Sequence, residues 1–243
     1  MNGPAVTGPF GLSAALAGRE QAGLLRSRIA TDGASGGRLK VAGRDYLNFS
    51  ANDYLGLAGS DLVRDLALAA LRRGVPPGAG AARLLRGNHD AFARLEDTAA
   101  AHFGSAAALY FGSGFAANLG LFAGLPAQRD LVLHDALIHA SSRDGMRLGT
   151  AESRSFAHND VQAARAEIRA WRKTGGTGQV WLAVESLYSM DGDRAPLALY
   201  LLRRPPQAVW LWLGAALGAI ACGLVAIYQV QVLHLPRAGD TYI

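Results

Sequence analysis

Apolar residues along the chain recur at helical spacing in some stretches and in short continuous runs in others, and the two patterns alternate. Ser60 is placed to cap a helix over Asp61–Arg73, with Leu62, Leu66 and Ala70 on one face and Gly74 ending it. Phe92, Leu95, Ala99 and Phe103 keep helical spacing through residues 88–103. Ala106–Phe111 then reads as a short buried strand followed at once by glycines, Leu131–His134 as a second strand and Glu152–Phe156 as a third. Asn159 is a good cap for a helix over Asp160–Lys173, whose Val161, Ala164, Ile168 and Trp171 form an apolar stripe and which Gly175-Gly176 stops. Gln179–Val184 is the strongest strand signal in the chain. This alternation predicts an α/β fold, a mainly parallel sheet with helices on its faces.

The pattern changes near Leu199. Arg203-Arg204-Pro205-Pro206 leads into an uncharged run over 208–233, which is 26 residues long (233 − 208 + 1). A bilayer-spanning helix takes about 20 apolar residues, so this run predicts a transmembrane helix. Trp210 and Trp212 at one end and Tyr228 at the other match an aromatic belt, and Arg203-Arg204 puts the preceding part on the cytoplasmic side. Gln229 and Gln231 favour the other reading, a buried core helix. The chain is thus divided into an arm over 1–60, a partial domain over 61–198 and a tail over 199–243.

Composition narrows the class. The 243 residues are 50% hydrophobic and 18% charged, which excludes a disordered, collagen-like or disulfide-stapled protein. The net charge of +5 comes from arginines spread along the chain, without the stripe or block that a nucleic-acid surface needs, so no nucleic-acid partner is expected. Cys222 is the single cysteine and forms no intrachain disulfide. Residues 1–18 have neither a basic n-region nor a continuous apolar core, so no signal peptide is expected.

The sharpest candidate for chemistry is Leu109–Asn118, a strand running through Gly112-Ser113-Gly114 into a helix. Glycines admit a ligand close to the backbone, and a helix start offers unpaired N–H groups with a favourable dipole, which together suit a phosphate. Any tight strand-to-helix turn also favours Gly-Ser-Gly, and the spacing departs from the dinucleotide fingerprint at Ala117. His134 and His139 are five apart, with no Cys or carboxylate cluster completing a set, so no metal site is expected. Taken alone, His139 is an ordinary polar residue and Ser189 an ordinary turn residue ahead of Asp191-Gly192.

Several stretches in one order carry a resemblance: Tyr46–Leu57, Gly112–Asn118, His139-Ala140-Ser141, His158–Val161 and Glu185–Leu197. With these, residues 11–198 resemble the first half of the α-oxoamine synthases, pyridoxal-phosphate (PLP) enzymes that condense an amino acid with an acyl thioester and release carbon dioxide. The wording is most similar to the branch that uses L-alanine and a pimeloyl thioester in biotin biosynthesis; branches using glycine or serine share much of it. The resemblance implies the large domain of a fold type I PLP-dependent transferase, pyridoxal 5′-phosphate as cofactor, a homodimer and a cytoplasmic location; the expectation of a membrane anchor comes from the uncharged run over 208–233 and not from the resemblance. It also implies roles. Gly114 and Phe115 would hold the phosphate, His139 would stack on the cofactor ring beside the substrate, and Ser189 would bond the ring hydroxyl. Arg26 would pair with a substrate carboxylate such as the pimeloyl end, with Arg28 close enough to leave the register open. Asn52 would contact the amino-acid carboxylate.

The family's Schiff-base lysine, its pyridinium-pairing aspartate and its small C-terminal domain have no counterpart after Ala198. Lys40 and Lys173, the two lysines of the chain, both lie outside the lysine motif. The expectation is therefore a synthase N-terminal half joined to a helical tail, with no catalytic residue of its own and inactive alone. Without the late strands, Ala106–Phe111 is expected to lose its usual neighbour in the sheet.

Overall fold

In the computed structural model, the described residues are 11–31, 34–35, 37–51, 53, 55–196, 211–212, 218–220, 223–225 and 230–235. They fall into two units, Met1–Ala51 and Asn52–Ile243. The first holds helix α1 (Leu12–Gln21) and a small antiparallel sheet of β1 (Ala34–Ser35), β2 (Arg38–Val41) and β3 (Arg44–Leu47). Arg26 follows α1 in this unit and is exposed.

The second unit begins with α2 (Asp61–Arg72), a π-helical turn at Arg83–Gly87 and α3 (Asp90–Phe103). It continues through α4 (Gly114–Gly124), β4 (Leu131–Asp135), α5 (Ala140–Leu148), β5 (Glu152–Phe156), α6 (Val161–Lys173) and β6 (Val180–Glu185). β4 pairs in parallel with β5 on one side and β6 on the other, Leu131 lying opposite Glu152 and Val180. The chain moves outward from β4 to β5 and then back across to β6. Right-handed crossovers in opposite directions put their helices on opposite faces of a sheet. Packing agrees. Leu131 and Leu133 of β4 join Val180, Leu182 and Val184 of β6 against Ala164 and Trp171 of α6. Val132 and Ala183, the intervening residues, face Leu121, Phe122 and Met146 of α4 and α5. Both faces of β4 and β6 are covered, so these two strands are apolar along most of their length instead of alternating, while β5 at the edge stays polar. Each such fully buried side chain contributes about 1.5–3 kcal/mol of transfer free energy.

Four expectations change. Ala106–Phe111 forms no strand; its backbone has no ladder among the described residues and Leu109 is 68% exposed. The buried-strand composition is there, but a strand needs a neighbour for its N–H and C=O groups. Side chains serve Tyr110 instead: its N–H donates to Glu96 Oε1 at 2.8 Å and its carbonyl accepts from Arg83 Nη1 at 3.1 Å.

The helix expected over 208–233 is not seen among the described residues of that run; 208–210, 213–217, 221–222 and 226–229 lie outside them. Its described residues lie in strands β7 (Leu211–Trp212), β8 (Gly218–Ile220), β9 (Gly223–Val225) and β10 (Val230–Leu235). Among the described residues no helix is long and apolar enough to cross a membrane. The cause is the open edge of β6. Six residues of β10 pair with it antiparallel, Val230 opposite Glu185 and Leu235 opposite Val180, and supply bonds that a helix cannot. β7 then pairs with the far side of β10.

The apolar stripes of α2 and α3 have the expected period, yet neither helix has a buried residue, and Leu62 and Leu66 are mostly exposed. Finally, Asp160 caps α6, accepting the N–H groups of Gln162 and Ala163, while Asn159 takes a left-handed φ of 55° one residue earlier. A short side chain with an acceptor oxygen at either position satisfies the pattern, and Asn159 is drawn into another network.

Candidate active site

The carboxyl ends of β4 and β6 and the start of α5 carry four of the six polar residues buried among the described ones, Asp135, Glu185, Ser141 and Ser142, at the edge where α/β sheets bind ligands. α4 runs back along the sheet, so its start lies at the same edge. Ser113 caps that start: its Oγ accepts the N–H of Ala116 at 3.1 Å, and its carbonyl accepts the N–H of Ala117 at 3.0 Å. Helix geometry leaves the first N–H groups without an intrahelical partner, and here these belong to Gly114, which is buried, and Phe115. Gly112, just ahead, faces open space.

His139 follows β4 and caps α5. Its backbone N–H donates to Glu185 Oε1, at the end of β6, over 2.5 Å. Its ring Nδ1 lies 2.6 Å from Ser141 Oγ, which receives Asn118 Nδ2 at 2.9 Å. Asn118 stands one turn beyond Gly114 on α4, so a run of buried polar contacts joins the glycine turn's helix to His139 and then to β6. Burial holds the His139 imidazole below its ordinary pKa and therefore neutral. Burial also raises the Glu185 carboxyl, a push that the nearby charge of Asp135 adds to and the His139 N–H opposes.

A second network stitches the three loops. Asp135, fully buried at the end of β4, accepts the N–H of Leu137 on Oδ1 and the N–H of Asn159 on Oδ2, each at 2.8 Å. His158, after β5, bonds Asp135 Oδ1 through Nδ1 and Asp193 Oδ2 through Nε2, both at 2.8 Å. Asn159 Nδ2 donates to the same Asp193 oxygen at 2.7 Å. Tyr188 meets the His158 ring edge-on, 4.6 Å between centroids, and its hydroxyl accepts the N–H of Glu185 at 3.3 Å. Burial lowers the His158 pKa, but hydrogen bonds and charges from the two aspartates outweigh it and leave the group raised. Burial pushes the Tyr188 phenol up.

Of the residues singled out from sequence, Gly114, Phe115, His139 and Ser189 all belong to segments at this carboxyl edge, Ser189 exposed in the turn after β6. Arg26 belongs to the other unit, and Asn52 lies outside the described residues. Lys173 ends α6 at the opposite edge, where neighbouring Arg172 bonds the carbonyls of Gly176 and Gly178 ahead of β6. Asn118, Ser141, Asp135, His158, Asp193 and Glu185 were not legible as site residues. All but Asp135 fall within the stretches that carry the family resemblance, which marks the segments without saying what each residue does.

The Aminotransferase class I and II family profile matches residues 44–201. An 8-amino-7-oxononanoate synthase of Aeromonas hydrophila is 44% identical over 90% of this chain and 53% of its own length. One of Methylobacterium nodulans is 38% identical over 94% of this chain and 60% of its own. The chain thus spans little more than half the length of the curated relatives it matches, and 90% of 243 residues is more than 11–198 provides, so the likeness takes in part of 199–243. Among solved structures, a Sphingomonas wittichii serine palmitoyltransferase superposes with a TM-score of 0.68 at 28% identity, over 82% of this chain and 50% of that one. A serine palmitoyltransferase from S. paucimobilis with a bound PLP–myriocin aldimine gives 0.68 at 26%, over 79% and 48%. With a family profile covering well over half of its residues, the chain, whose three parallel strands β4, β5 and β6 lie within the matched part, belongs to the aminotransferase class I and II family.

Proposed function

We propose that this chain forms the cofactor-binding part of a PLP-dependent synthase that condenses L-alanine with a pimeloyl thioester and releases carbon dioxide, a step of biotin biosynthesis. The observation that carries the proposal is the pair of N–H groups left at the start of α4, at Gly114 and Phe115, on the same edge as a neutral His139. Two such donors and the helix dipole suit a phosphate dianion, so the residues present fit pyridoxal 5′-phosphate. When bound, the cofactor supplies an electron sink for carbanion chemistry. The chain's own residues bind and orient: Gly114 and Phe115 hold the phosphate, the uncharged His139 ring packs on the pyridine, and the Ser189 hydroxyl bonds the ring hydroxyl. Arg26 takes the distal carboxylate of the acyl donor and Asn52 the amino-acid carboxylate, in a homodimer. Neither Lys40, on β2, nor Lys173, at the far edge, is placed by motif to make the covalent link, so the 243 residues alone bind the cofactor without turning over.

A serine- or glycine-using synthase is the second reading, favoured by the serine palmitoyltransferase superpositions at 26–28% identity; the 38–44% identity to 8-amino-7-oxononanoate synthases favours the first.

The test compares pyridoxine 5′-phosphate with pyridoxine, neither of which carries an aldehyde to react with surface lysines. Quenching of tryptophan fluorescence is expected to give an affinity at least roughly tenfold higher for the phosphate ester, with inorganic phosphate competing. Equal affinities overturn the phosphate site. With pyridoxal 5′-phosphate bound, a spectral change with L-alanine but not L-serine or glycine supports the substrate; the reverse favours the second reading. Turnover of alanine and pimeloyl thioester by the chain alone refutes its inactivity.

A further inference from the structure

A histidine ring that packs beside a cofactor presents either a hydrogen-bond donor or an acceptor on its outward nitrogen, depending on where its single proton sits. In His139 three contacts bear on that choice. The backbone N–H of Ser141 donates to Nδ1 at 3.2 Å. Ser141 Oγ lies 2.6 Å from the same Nδ1, and Asn118 Nδ2 lies 2.9 Å from Ser141 Oγ. Asn118 and Ser141 are both fully buried, so water does not substitute for either partner.

The side-chain contacts alone allow two directions. With Asn118 as its Nδ2 is placed, the serine hydroxyl accepts from the amide and must give its own hydrogen to Nδ1. With the amide turned over, the hydroxyl would donate to Asn118 Oδ1 and Nδ1 would have to carry the hydrogen. The backbone decides. A peptide N–H has one hydrogen and no alternative orientation, and it points at Nδ1; a hydrogen on Nδ1 would set two donors against each other. Nδ1 therefore presents its lone pair, the hydroxyl donates to it, and the neutral ring carries its proton on Nε2. The orientation that follows leaves Asn118 Oδ1 buried without a partner, a cost that the alternative would move onto the ring and the helix cap instead.

We infer that Ser141, oriented by Asn118, is a positioning residue that locks His139 in its Nε2–H tautomer, making it a neutral donor and not a base at the carboxyl edge. In function this rests on the cofactor reading above, since it fixes what His139 offers to a ring and substrate beside it; as a statement about the chain it needs no cofactor.

The experiment is a long-range ¹H–¹⁵N spectrum of the full chain with ¹⁵N-labelled histidine at pH 8, without cofactor, the His139 signals being assigned by their loss in His139→Gln. Wild type is expected to show an unprotonated Nδ1 and a protonated Nε2. Ser141→Ala removes the hydroxyl but keeps the peptide N–H, and is expected to lower the tautomer ratio roughly 3- to 10-fold, the worth of one neutral hydrogen bond. Ser141→Thr restores the hydroxyl and is expected to restore the ratio. A protonated Nδ1 in wild type overturns the inference, as does an unchanged ratio in a folded Ser141→Ala chain. Should Ser141→Ala not fold, the wild-type and Ser141→Thr spectra still decide, because both must show the Nε2–H pattern. Loss of pyridoxine 5′-phosphate binding with the tautomer intact would count against the cofactor reading and leave this one standing.

Discussion

Replacing Asp135 by Asn changes almost nothing in shape and removes one charge, which makes it a sharp probe of the network at the carboxyl edge. Both carboxylate oxygens of Asp135 accept: Oδ1 from Leu137 N–H and His158, Oδ2 from Asn159 N–H, all at 2.8 Å. An amide has one oxygen and one NH₂. Whichever way it turns, its NH₂ faces a peptide N–H, so at least one buried donor is left opposing another. Removing one partner of a buried, hydrogen-bonded charge pair costs about 3–5 kcal/mol, a large share of the roughly 5–15 kcal/mol that holds a typical domain folded. Asp135→Asn should also change the pH dependence. His158 binds its proton more tightly folded than unfolded, so its contribution is complete below its ordinary pKa of 6.5 and is lost as pH rises through the higher folded value. In that window the folded chain holds more protons than the unfolded one, and stability falls with a slope of at most about 1.4 kcal/mol per pH unit for one site. Without the Asp135 charge only Asp193 supports the imidazolium, and the window narrows toward pH 6.5. Urea unfolding at pH 6 to 9, followed by tryptophan fluorescence from Trp171 on α6 and Trp181 on β6, measures both effects, with His158→Gln as the control that removes the His158 share of the slope. A penalty under about 1 kcal/mol, or a wild-type slope retained in Asp135→Asn, would refute the reasoning.

Two further perturbations test other parts of the fold. Arg83 binds Glu96 through two nitrogens at 2.7 and 3.0 Å, and both residues also bond Tyr110, so Arg83→Met should cost about 2–4 kcal/mol, while adding Glu96→Leu should recover part of it; a double-mutant cycle in urea with no coupling would show that the pair does not hold the approach to the glycine turn. Gly145 lets α5 cross α4 closely: a Cβ there would stand 2.8 Å from the Asn118 carbonyl and 3.0 Å from Phe122 Cβ, so Gly145→Ala should lower stability by about 1–3 kcal/mol and loosen the Asn118–Ser141 contact, as melting and the His139 spectrum would report.

How much of this was legible in the sequence depended on whether the signal was local. α6 was read from its stripe because Val161, Ala164 and Trp171 are buried, and β4 and β6 were read from apolar runs because helices cover both of their faces, whereas β5, an edge strand of sequence ESRSF, buries Phe156 alone. Residues 106–111 are an apolar run, as the cores of β4 and β6 are, and fail to become a strand, since strand character there depends on a neighbour that the local residues cannot supply. The stripe of α2 was read correctly as a period, and its exposure was not legible, because spacing says which residues share a face and nothing about what meets it. The 26-residue uncharged run was read by length and hydropathy as a membrane helix, whereas its Val and Ile content and the open edge of β6 both favour strands.

The same distinction explains why half of the candidate site escaped notice. Gly114 and Phe115 announce themselves because a helix start is a local event, and His139 because the family wording carries it. Asp135, His158 and Asp193 are far apart in the chain, the last two within family-like stretches that assign them no role, and become a cluster only when β4, β5 and β6 lie side by side. Their function follows from that origin. Three loops leaving adjacent strands have no backbone bonds to one another, and Asp135 supplies the missing ones, taking a donor from each of the first two loops while His158 carries the link to the third. His139 and Ser189 leave from the first and third of these loops. Any ligand held between them therefore depends on a charge that touches neither, and a substitution at Asp135 should loosen binding without altering a single contact residue.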